Sequence, residues 1–227
     1  MSYLALRRIL QCGVLAAVPG ALYGAGTVVL IDQEGALAGG IVPGDTPGFP
    51  VTISQSGSYR LTGNLTVPDA DTTAIQILAD SVTLDLNGFS IIGPGGCTGP
   101  ATTCPGPGRG IGVQAVRDGS AGPRAVRIQN GSVRGMGSMG IQMTGSGSFV
   151  EKVSVYGNAG GGMAVNGGSV IQSAATQNGS FGIIASTVRD STSSENLGDG
   201  IILDGSTGGI ATGNVSSFSG GYGIFAP

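Results

Sequence analysis

Apolar and polar residues alternate along short segments of this chain, and the alternating segments recur at a nearly constant interval. A glycine followed by an aliphatic residue begins the clearest segments, at Gly140-Ile141, Gly162-Met163, Gly182-Ile183, Gly200-Ile201 and Gly223-Ile224. The intervals between them are 22, 20, 18 and 23 residues. Alternation with a period of two predicts β-strands. Its repetition at intervals of roughly 20 residues is typical of the coils of a solenoid.

Fixed columns of apolar or small residues precede these glycines. The columns are Val150, Val170 and Val188; Val153, Ser173 and Ser191; and Val155, Ala175 and Ser193. We predict that all three columns point inward. Upstream, Ile128, Gly131 and Val133 continue the columns, and an alternating run occurs within 75–92. Between these two segments, an insertion from Gly93 to Arg109 carries two cysteines. Insertions in solenoids emerge as loops on one face, which is often the functional face.

An asparagine stands four residues before three of the repeated glycines, at Asn158, Asn178 and Asn196. Equivalent residues of stacked coils lie about 4.8 Å apart, so their side-chain amides can hydrogen-bond along the stack. Asparagine also tolerates the left-handed backbone of tight turns. We therefore interpret these residues as a structural turn ladder. The glycine four positions later is expected at the same corner, where a side chain would clash or φ is positive.

The composition excludes several classes of function. The chain has 45 glycines, no histidine, and a formal net charge of −3. Without histidine there is no Ser-His or Cys-His nucleophile pair and no histidine-based metal centre. A mildly acidic chain without a basic run is a poor candidate for nucleic-acid binding. We also find no calcium-binding repeat, so the sequence predicts neither a metal nor a cofactor.

The N-terminal residues 1–25 have the pattern of an export signal. Arg7 and Arg8 precede the mostly apolar stretch Ile9–Ala21, and small residues follow it. The alternative, an uncleaved membrane anchor, is less favoured because Gly13 and Pro19 interrupt a short stretch. Later apolar runs are too short to span a membrane. Cleavage leaves two cysteines, Cys97 and Cys104, and in an oxidising compartment we expect them to form a disulfide.

The segment Ser54–Ile92, followed by coils of the form Asn-x-x-x-Gly-aliphatic, resembles exported bacterial right-handed parallel β-helix proteins of the pectate-lyase-like superfamily. The resemblance implies an all-β, right-handed parallel β-helix of about seven coils over residues 51–227. It also implies an N-terminal cap over residues 26–50, in which Asp32 to Ala38 form a short helix, and a secreted or periplasmic location. The fold hosts lyases, hydrolases, epimerases, adhesins and phage proteins, so it does not determine the activity.

Two neighbouring columns of outward residues suggest a ligand site. One contains Arg134, Tyr156, Thr176 and Ser194, and the other contains Asn130, Lys152, Gln172 and Asp190. A tyrosine ring offers a stacking face for a sugar, and polar groups fix its hydroxyls. The candidate ligand-binding residues are Arg134, Glu151, Lys152, Tyr156, Arg189 and Asp190. The alternative is an ordinary polar β-face whose charges carry no function.

These observations leave three hypotheses open. The first is a non-catalytic exported protein that binds polysaccharide or another component of the cell envelope. The second is a polysaccharide lyase or glycoside hydrolase acting on an acidic polysaccharide, with Lys152, Arg189 or Tyr156 working beside Asp190 or Glu151. The third is a structural or adhesive module. Because the sequence stops just after Gly223-Ile224, a C-terminal strand edge is expected to be open for self-association.

Overall fold

The computed structural model describes residues 26–97, 103–104, 107–117, 121–204 and 208–227. The predicted export signal, 1–25, lies outside the described residues. There is one helix among them, α1 (Gln33–Ala38). The strands are β1 (Val28–Ile31), β2 (Val51–Ile53), β3 (Gly57–Leu61), β4 (Leu65–Thr66), β5 (Ile75–Ile77), β6 (Val82–Asp85), β7 (Ser90–Ile92), β8 (Val113–Ala115), β9 (Arg127–Arg134), β10 (Ile141–Met143), β11 (Phe149–Tyr156), β12 (Met163–Ile171), β13 (Ala174–Thr176), β14 (Ile183–Arg189), β15 (Thr192–Ser194), β16 (Ile201–Leu203), β17 (Ile210–Thr212), β18 (Val215–Ser217) and β19 (Ile224–Phe225).

All the strand pairings are parallel, and they assemble three stacks. Sheet A contains β2, β5, β8, β10, the first parts of β12 and β14, β16 and β19. Sheet B contains β1, β3, β6, the first parts of β9 and β11, the last parts of β12 and β14, and β17. Sheet C contains β4, β7, the last parts of β9 and β11, β13, β15 and β18. The predicted all-β parallel solenoid is therefore confirmed.

The register of the sheets confirms the columns expected from the sequence. Ile128 lies opposite Val150, Gly131 opposite Val153, and Val133 opposite Val155. The aliphatic residues after the repeated glycines align with one another from β10 to β19. The three columns expected to point inward are buried, including their serines. Because side chains alternate between the two faces of a strand, this register also determines which residues face outward.

The core becomes smaller and more polar along sheet C. Successive inward residues of this sheet are Leu65, Ile91, Val133, Val155, Ala175, Ser193 and Ser216. The hydroxyl of Ser193 donates to the Gly200 carbonyl at 2.7 Å, so this buried polar group is satisfied inside the solenoid. The interval of 18 residues between the repeats at Gly182 and Gly200 is the shortest of the four, and it contains Ser193, one of these small inward residues.

The segment before the first full coil contains the predicted helix, here α1. The Asp32 carboxylate accepts a hydrogen bond from the Gly35 amide at 2.7 Å and so caps the start of the helix. The Gln33 side chain accepts from the Thr66 amide at 2.7 Å and donates to the Thr66 carbonyl at 3.2 Å. It thereby satisfies the backbone of β4 as a paired strand would. No helix within the described part of the chain is long and apolar enough to cross a membrane.

The corners differ from the expectation in one respect. The left-handed residue at the corner between sheets C and A is the one before each asparagine, such as Gln177 with φ of 55°, so the asparagines themselves do not need that conformation. Of the two reasons expected for the repeated glycines, close approach applies at Gly140, Gly162, Gly182 and Gly200, and none of the five has a positive φ. A Cβ atom on Gly223 would make only ordinary contacts. A Cβ atom on Gly182 would lie 2.6 Å from the Gly200 carbonyl oxygen.

Candidate functional site

The first residues of the insertion after β7 lie against the corner between sheets C and A. Residues Gly93–Cys97, which we call the strap, cross successive coils along the axis of the solenoid. Within the strap, the Gly93 amide donates to the Arg134 carbonyl at 2.8 Å and the Gly95 amide donates to the Gly135 carbonyl at 3.2 Å. The Cys97 amide donates to the Gly157 carbonyl at 2.9 Å. The strap therefore forms a wall along one side of sheet C.

The predicted disulfide joins Cys97 and Cys104. Cys97 is 5% exposed, and its sulfur lies 3.1 Å from the Asn158 carbonyl oxygen. Cys104 lies beside the next coil, because a Cβ atom on Gly179 would come within 2.8 Å of its sulfur. The disulfide thus fixes the end of the strap over the asparagine ladder.

Glycines occupy the left-handed corner positions wherever the strap covers them. A Cβ atom on Gly135 would lie 1.9 Å from the Gly95 carbonyl oxygen, and one on Gly157 would lie 3.3 Å from the Cys97 carbonyl oxygen. Beyond the strap the same corner column carries side chains, namely Gln177, Glu195 and Phe218. This relation between the strap and the corner glycines was not predicted from the sequence. The signal in the sequence is that the residue just before the ladder position is glycine in the coils covered by the strap and a larger residue in later coils.

The strap, Arg134 and Tyr156 line one cavity of about 300 Å³, which we call the strap cavity. Its lining residues are Gly95, Gly96, Cys97, Arg134, Gly135, Tyr156, Gly157 and Gln177. Tyr156 is 38% exposed, and within the described residues neither the Arg134 guanidinium nor the Tyr156 hydroxyl has a hydrogen bond or an ion pair. The cavity therefore presents a cation and a phenol that are available to a ligand.

A second cavity, of about 400 Å³, lies at the corner between sheets B and C, and we call it the corner cavity. Lys152, Gln172 and Asp190 contribute to its lining. The expectation that Asp190 occupies an outward strand position is wrong. Asp190 lies between β14 and β15 with φ of 49°, and Lys152 shares this left-handed conformation with φ of 55°. A left-handed corner residue projects its side chain from the turn between the sheets.

The outer face of sheet C connects the two cavities. Its outward positions are occupied mainly by short hydroxyl side chains: Ser132, Ser154, Thr176, Thr192 and Ser194. Ser154 lines the corner cavity and Tyr156 lines the strap cavity, and these residues are two positions apart in β11, so the two cavities are neighbours on one sheet. The arrangement is a shallow polar surface with a group of larger side chains at each side.

Glu151 and Arg189 lie outside this surface, on the outer face of sheet B. The Glu151 carboxylate forms an ion pair with Arg127 at 2.9 Å and lies 3.6 Å from the Lys152 ammonium. The Arg127 guanidinium also lies 5.2 Å from the centre of the Phe149 ring. Arg189 aligns with Ile171 in the neighbouring coil. The structure thus divides the six candidate residues into two in the strap cavity, two in the corner cavity and two on sheet B.

The acidic side chains of the described residues do not gather at this surface. In the described part of the chain, no cluster of three acidic or cysteine side chains is positioned to hold a metal ion. The carboxyls with a clearly lowered pKa lie elsewhere. A hydrogen bond from the Thr72 hydroxyl lowers the pKa of Asp69, and the Arg124 amide together with Arg117 lowers the pKa of Asp80.

Comparison with known proteins identifies the architecture. A family model described as "Right handed beta helix region" matches residues 111–226, slightly more than half of the chain. No curated protein and no solved structure is significantly similar to the chain. The matched region contains the corner cavity and the asparagine ladder, whereas the strap precedes it.

Proposed function

We propose that this chain, which belongs to the right-handed β-helix family, is a non-catalytic exported protein that binds polysaccharide or another glycan of the cell envelope. The proposed site is the outer face of sheet C. The observation that carries the proposal is the strap cavity, in which Arg134 and Tyr156 have no side-chain partner among the described residues.

The chemistry of the surface suits a sugar chain. The exposed Tyr156 ring can stack on a sugar face, and the Arg134 guanidinium offers several donors in a fixed plane to hydroxyl or carboxylate oxygens. Short hydroxyls between the cavities can exchange hydrogen bonds with sugar hydroxyls without blocking the surface. Two neighbouring cavities on one sheet favour an oligosaccharide over a single ring.

Export remains part of the proposal. Two observations support it: the pattern of residues 1–25 and the disulfide between Cys97 and Cys104. Disulfides persist in oxidising compartments such as the periplasm and the extracellular space. Detection of the mature protein in the periplasm or medium of a bacterial host, with its N-terminus near Gly26, is the expected result.

A glycan array tests the binding function. We expect wild-type protein to bind a subset of polysaccharides, and Arg134→Ala and Tyr156→Ala to weaken that binding at least tenfold, about 1.4 kcal/mol. Arg124→Ala is the matched control, since it removes an exposed arginine at the corner between sheets A and B. Binding that survives both site substitutions would place the ligand elsewhere, and no binding to any glycan would reject the function.

A second candidate function, a polysaccharide lyase, is favoured by one observation. Lys152 and Asp190 line the same corner cavity, and a lyase requires a base near an acidic sugar. Such an enzyme would release unsaturated uronate products with a characteristic ultraviolet absorbance. Turnover of uronate polymers that is lost in Lys152→Met would support this function over simple binding. The absence of product across a broad polymer panel, with and without calcium, would reject it.

A further inference from the structure

We propose that the Cys97–Cys104 disulfide makes the strap cavity redox-responsive. Reduction of the disulfide releases the end of the strap from the corner and alters the wall that faces Arg134 and Tyr156. The consequence for ligand binding rests on the proposed function. The change in the wall does not, and it is tested separately.

Apart from the disulfide, backbone hydrogen bonds alone hold the strap in place within the described residues. Three of its five residues are glycines, which have the largest backbone freedom in the unfolded chain and have no side chain to bury. Its backbone makes hydrogen bonds to Arg134, Gly135 and Gly157. Cys97 is the buried side chain at its end, and the bond to Cys104 tethers it beside Gly179, one coil further along the solenoid.

The two cysteines differ in exposure, so a reductant can reach the Cys104 sulfur more easily than the Cys97 sulfur. Cys97 is 5% exposed, whereas Cys104 is only partly buried. A thiolate of a dithiol reagent such as dithiothreitol attacks the Cys104 sulfur and breaks the disulfide. Cys97 leaves as a thiolate and takes up a proton. The second thiol of the reagent then displaces Cys104, so that two electrons pass from the dithiol to the protein. The products are two cysteine thiols and the cyclic oxidised reagent.

The inference predicts that a substitution can mimic reduction without touching either cysteine. Gly135 and Gly147 have left-handed backbones with φ of 67° and 69°. A Cβ atom on Gly135 would collide with the Gly95 carbonyl oxygen of the strap, whereas nothing lies within 4 Å of the equivalent atom on Gly147. Gly135→Ala and Gly147→Ala therefore carry the same backbone strain, and only the first displaces the strap.

Fluorine NMR of protein labelled with 3-fluorotyrosine tests the inference without a ligand. The Tyr156 resonance is assigned with Tyr156→Phe, and the buried Tyr59 provides an internal reference. We expect complete reduction by dithiothreitol to move the Tyr156 resonance and leave that of Tyr59 unchanged. The double variant Cys97→Ser with Cys104→Ser should give the reduced spectrum and not respond to the reagent. The spectrum of oxidised Gly135→Ala should resemble that of the double cysteine variant, and the spectrum of oxidised Gly147→Ala should resemble that of the oxidised wild type.

Each result decides the inference. A Tyr156 resonance that stays in place after thiol titration shows full reduction would overturn it, as would equal spectra for the two glycine variants. For glycans that the oxidised protein binds, we expect reduction to weaken affinity at least fivefold, and unchanged affinity would overturn the coupling to binding. If the resonance moves but no glycan binds at all, the proposed function fails and the redox response of the strap stands.

Discussion

The two corners that flank sheet C follow the same backbone rule but use their side chains differently. At both, a left-handed residue is followed by a position whose side chain can turn inward and bond the neighbouring coil. From β9 onward, the left-handed residues at the corner between sheets B and C are Asn130, Lys152, Gln172, Asp190 and Gly213. At the corner between sheets C and A they are Gly135, Gly157, Gln177, Glu195 and Phe218. Local conformation alone therefore does not distinguish the two corners.

The inward side chains distinguish them. At the C–A corner the Asn178 amide group donates to Asn196 and the Asn178 carbonyl oxygen accepts from Asn158, both at 2.9 Å, so the ladder runs from side chain to side chain. At the B–C corner the Ser173 hydroxyl accepts from the Val153 amide at 3.2 Å and donates to the Ile171 carbonyl at 2.9 Å. The first corner is held by a continuous buried network. The second is held by separate bonds and presents charged residues to solvent.

The comparison shows where function can reside on a repeated scaffold. Residues whose hydrogen bonds are satisfied within the stack have no group left for a ligand. Lys152 and Asp190 repeat the backbone of the corner but not its internal bonds. Within the described residues Lys152 pairs only with Glu151 of its own strand, at 3.6 Å, so neither side chain is tied to a neighbouring coil. A backbone conformation that repeats in every coil therefore reflects the fold. Positions of that conformation whose side chains vary from coil to coil are the candidates for binding.

Removing the central asparagine should have the largest effect on this comparison. Asn178→Ala deletes bonds to both neighbouring asparagines, to the Asn158 amide at 3.2 Å and to the Val155 carbonyl at 3.4 Å. The buried backbone amide and side-chain amide of Asn158 would then lack their partner, whereas Asn196 would keep its bond from the Asn178 backbone amide. We expect the free energy of unfolding to fall by about 3–5 kcal/mol. Denaturant unfolding followed by circular dichroism measures it, and a loss below about 1 kcal/mol would show that the ladder contributes little.

The close approach of coils at the C–A corner should give the next largest effect. A Cβ atom on Gly182 would lie 2.0 Å from the Ser193 hydroxyl and 2.6 Å from the Gly200 carbonyl oxygen. Because a backbone atom cannot move aside without displacing its coil, Gly182→Ala should cost about 2–3 kcal/mol.

The control for this prediction is Ser193→Ala in the Gly182→Ala background, which relieves the hydroxyl clash and leaves the Gly200 carbonyl in place. Because Ser193→Ala also removes the bonds of the hydroxyl to Gly200 and Asn196, the recovery is measured against Ser193→Ala alone. We expect only partial recovery in unfolding experiments. Full recovery would mean that the contact with the Gly200 carbonyl oxygen is unimportant and that glycine is required at position 182 only because of the Ser193 hydroxyl.

The sequence was sufficient to predict the columns of the solenoid because their pattern depends on local alternation. Val150 and Val155 were assigned inward from spacing alone, and both are fully buried. The corner at Asp190 was misread because a left-handed residue and an outward strand residue both appear as polar positions in a periodic pattern. The period records that a residue repeats, not which backbone conformation it adopts.

The strap cavity could not be assembled from the sequence, because it depends on a contact between distant segments. Arg134 and Tyr156 were paired from the repeat, and the cysteines were assigned to a loop of unknown position. That Gly96 and Arg134 face the same cavity follows only from the path of the strap across the coils. Insertions carry no period, so the columns do not specify where an insertion packs.

A smaller effect is expected when the serine ladder is cut. Ser173→Ala removes the acceptor of the Val153 amide but leaves the neighbouring Ser191 bond to Asn214 in place. We expect a loss of about 1 kcal/mol in the free energy of unfolding, well below that for Asn178→Ala. Equal losses in the two variants would contradict the distinction between a continuous network and separate bonds.

The smallest expected effect lies at the third corner, between sheets A and B, where an exposed carboxylate replaces a buried ladder. The Asp80 carboxylate accepts from the Arg124 amide at 3.0 Å and from Arg117 at 2.9 Å. These partners lower the pKa of Asp80 below its ordinary value of 3.8 in the folded protein. The stabilisation is therefore present above that value and is lost as the pH falls through the folded-state pKa. Asp80→Asn should lower the urea midpoint slightly at neutral pH and match wild type in strong acid. A difference that stays constant with pH would show that the carboxylate charge is not what holds this corner.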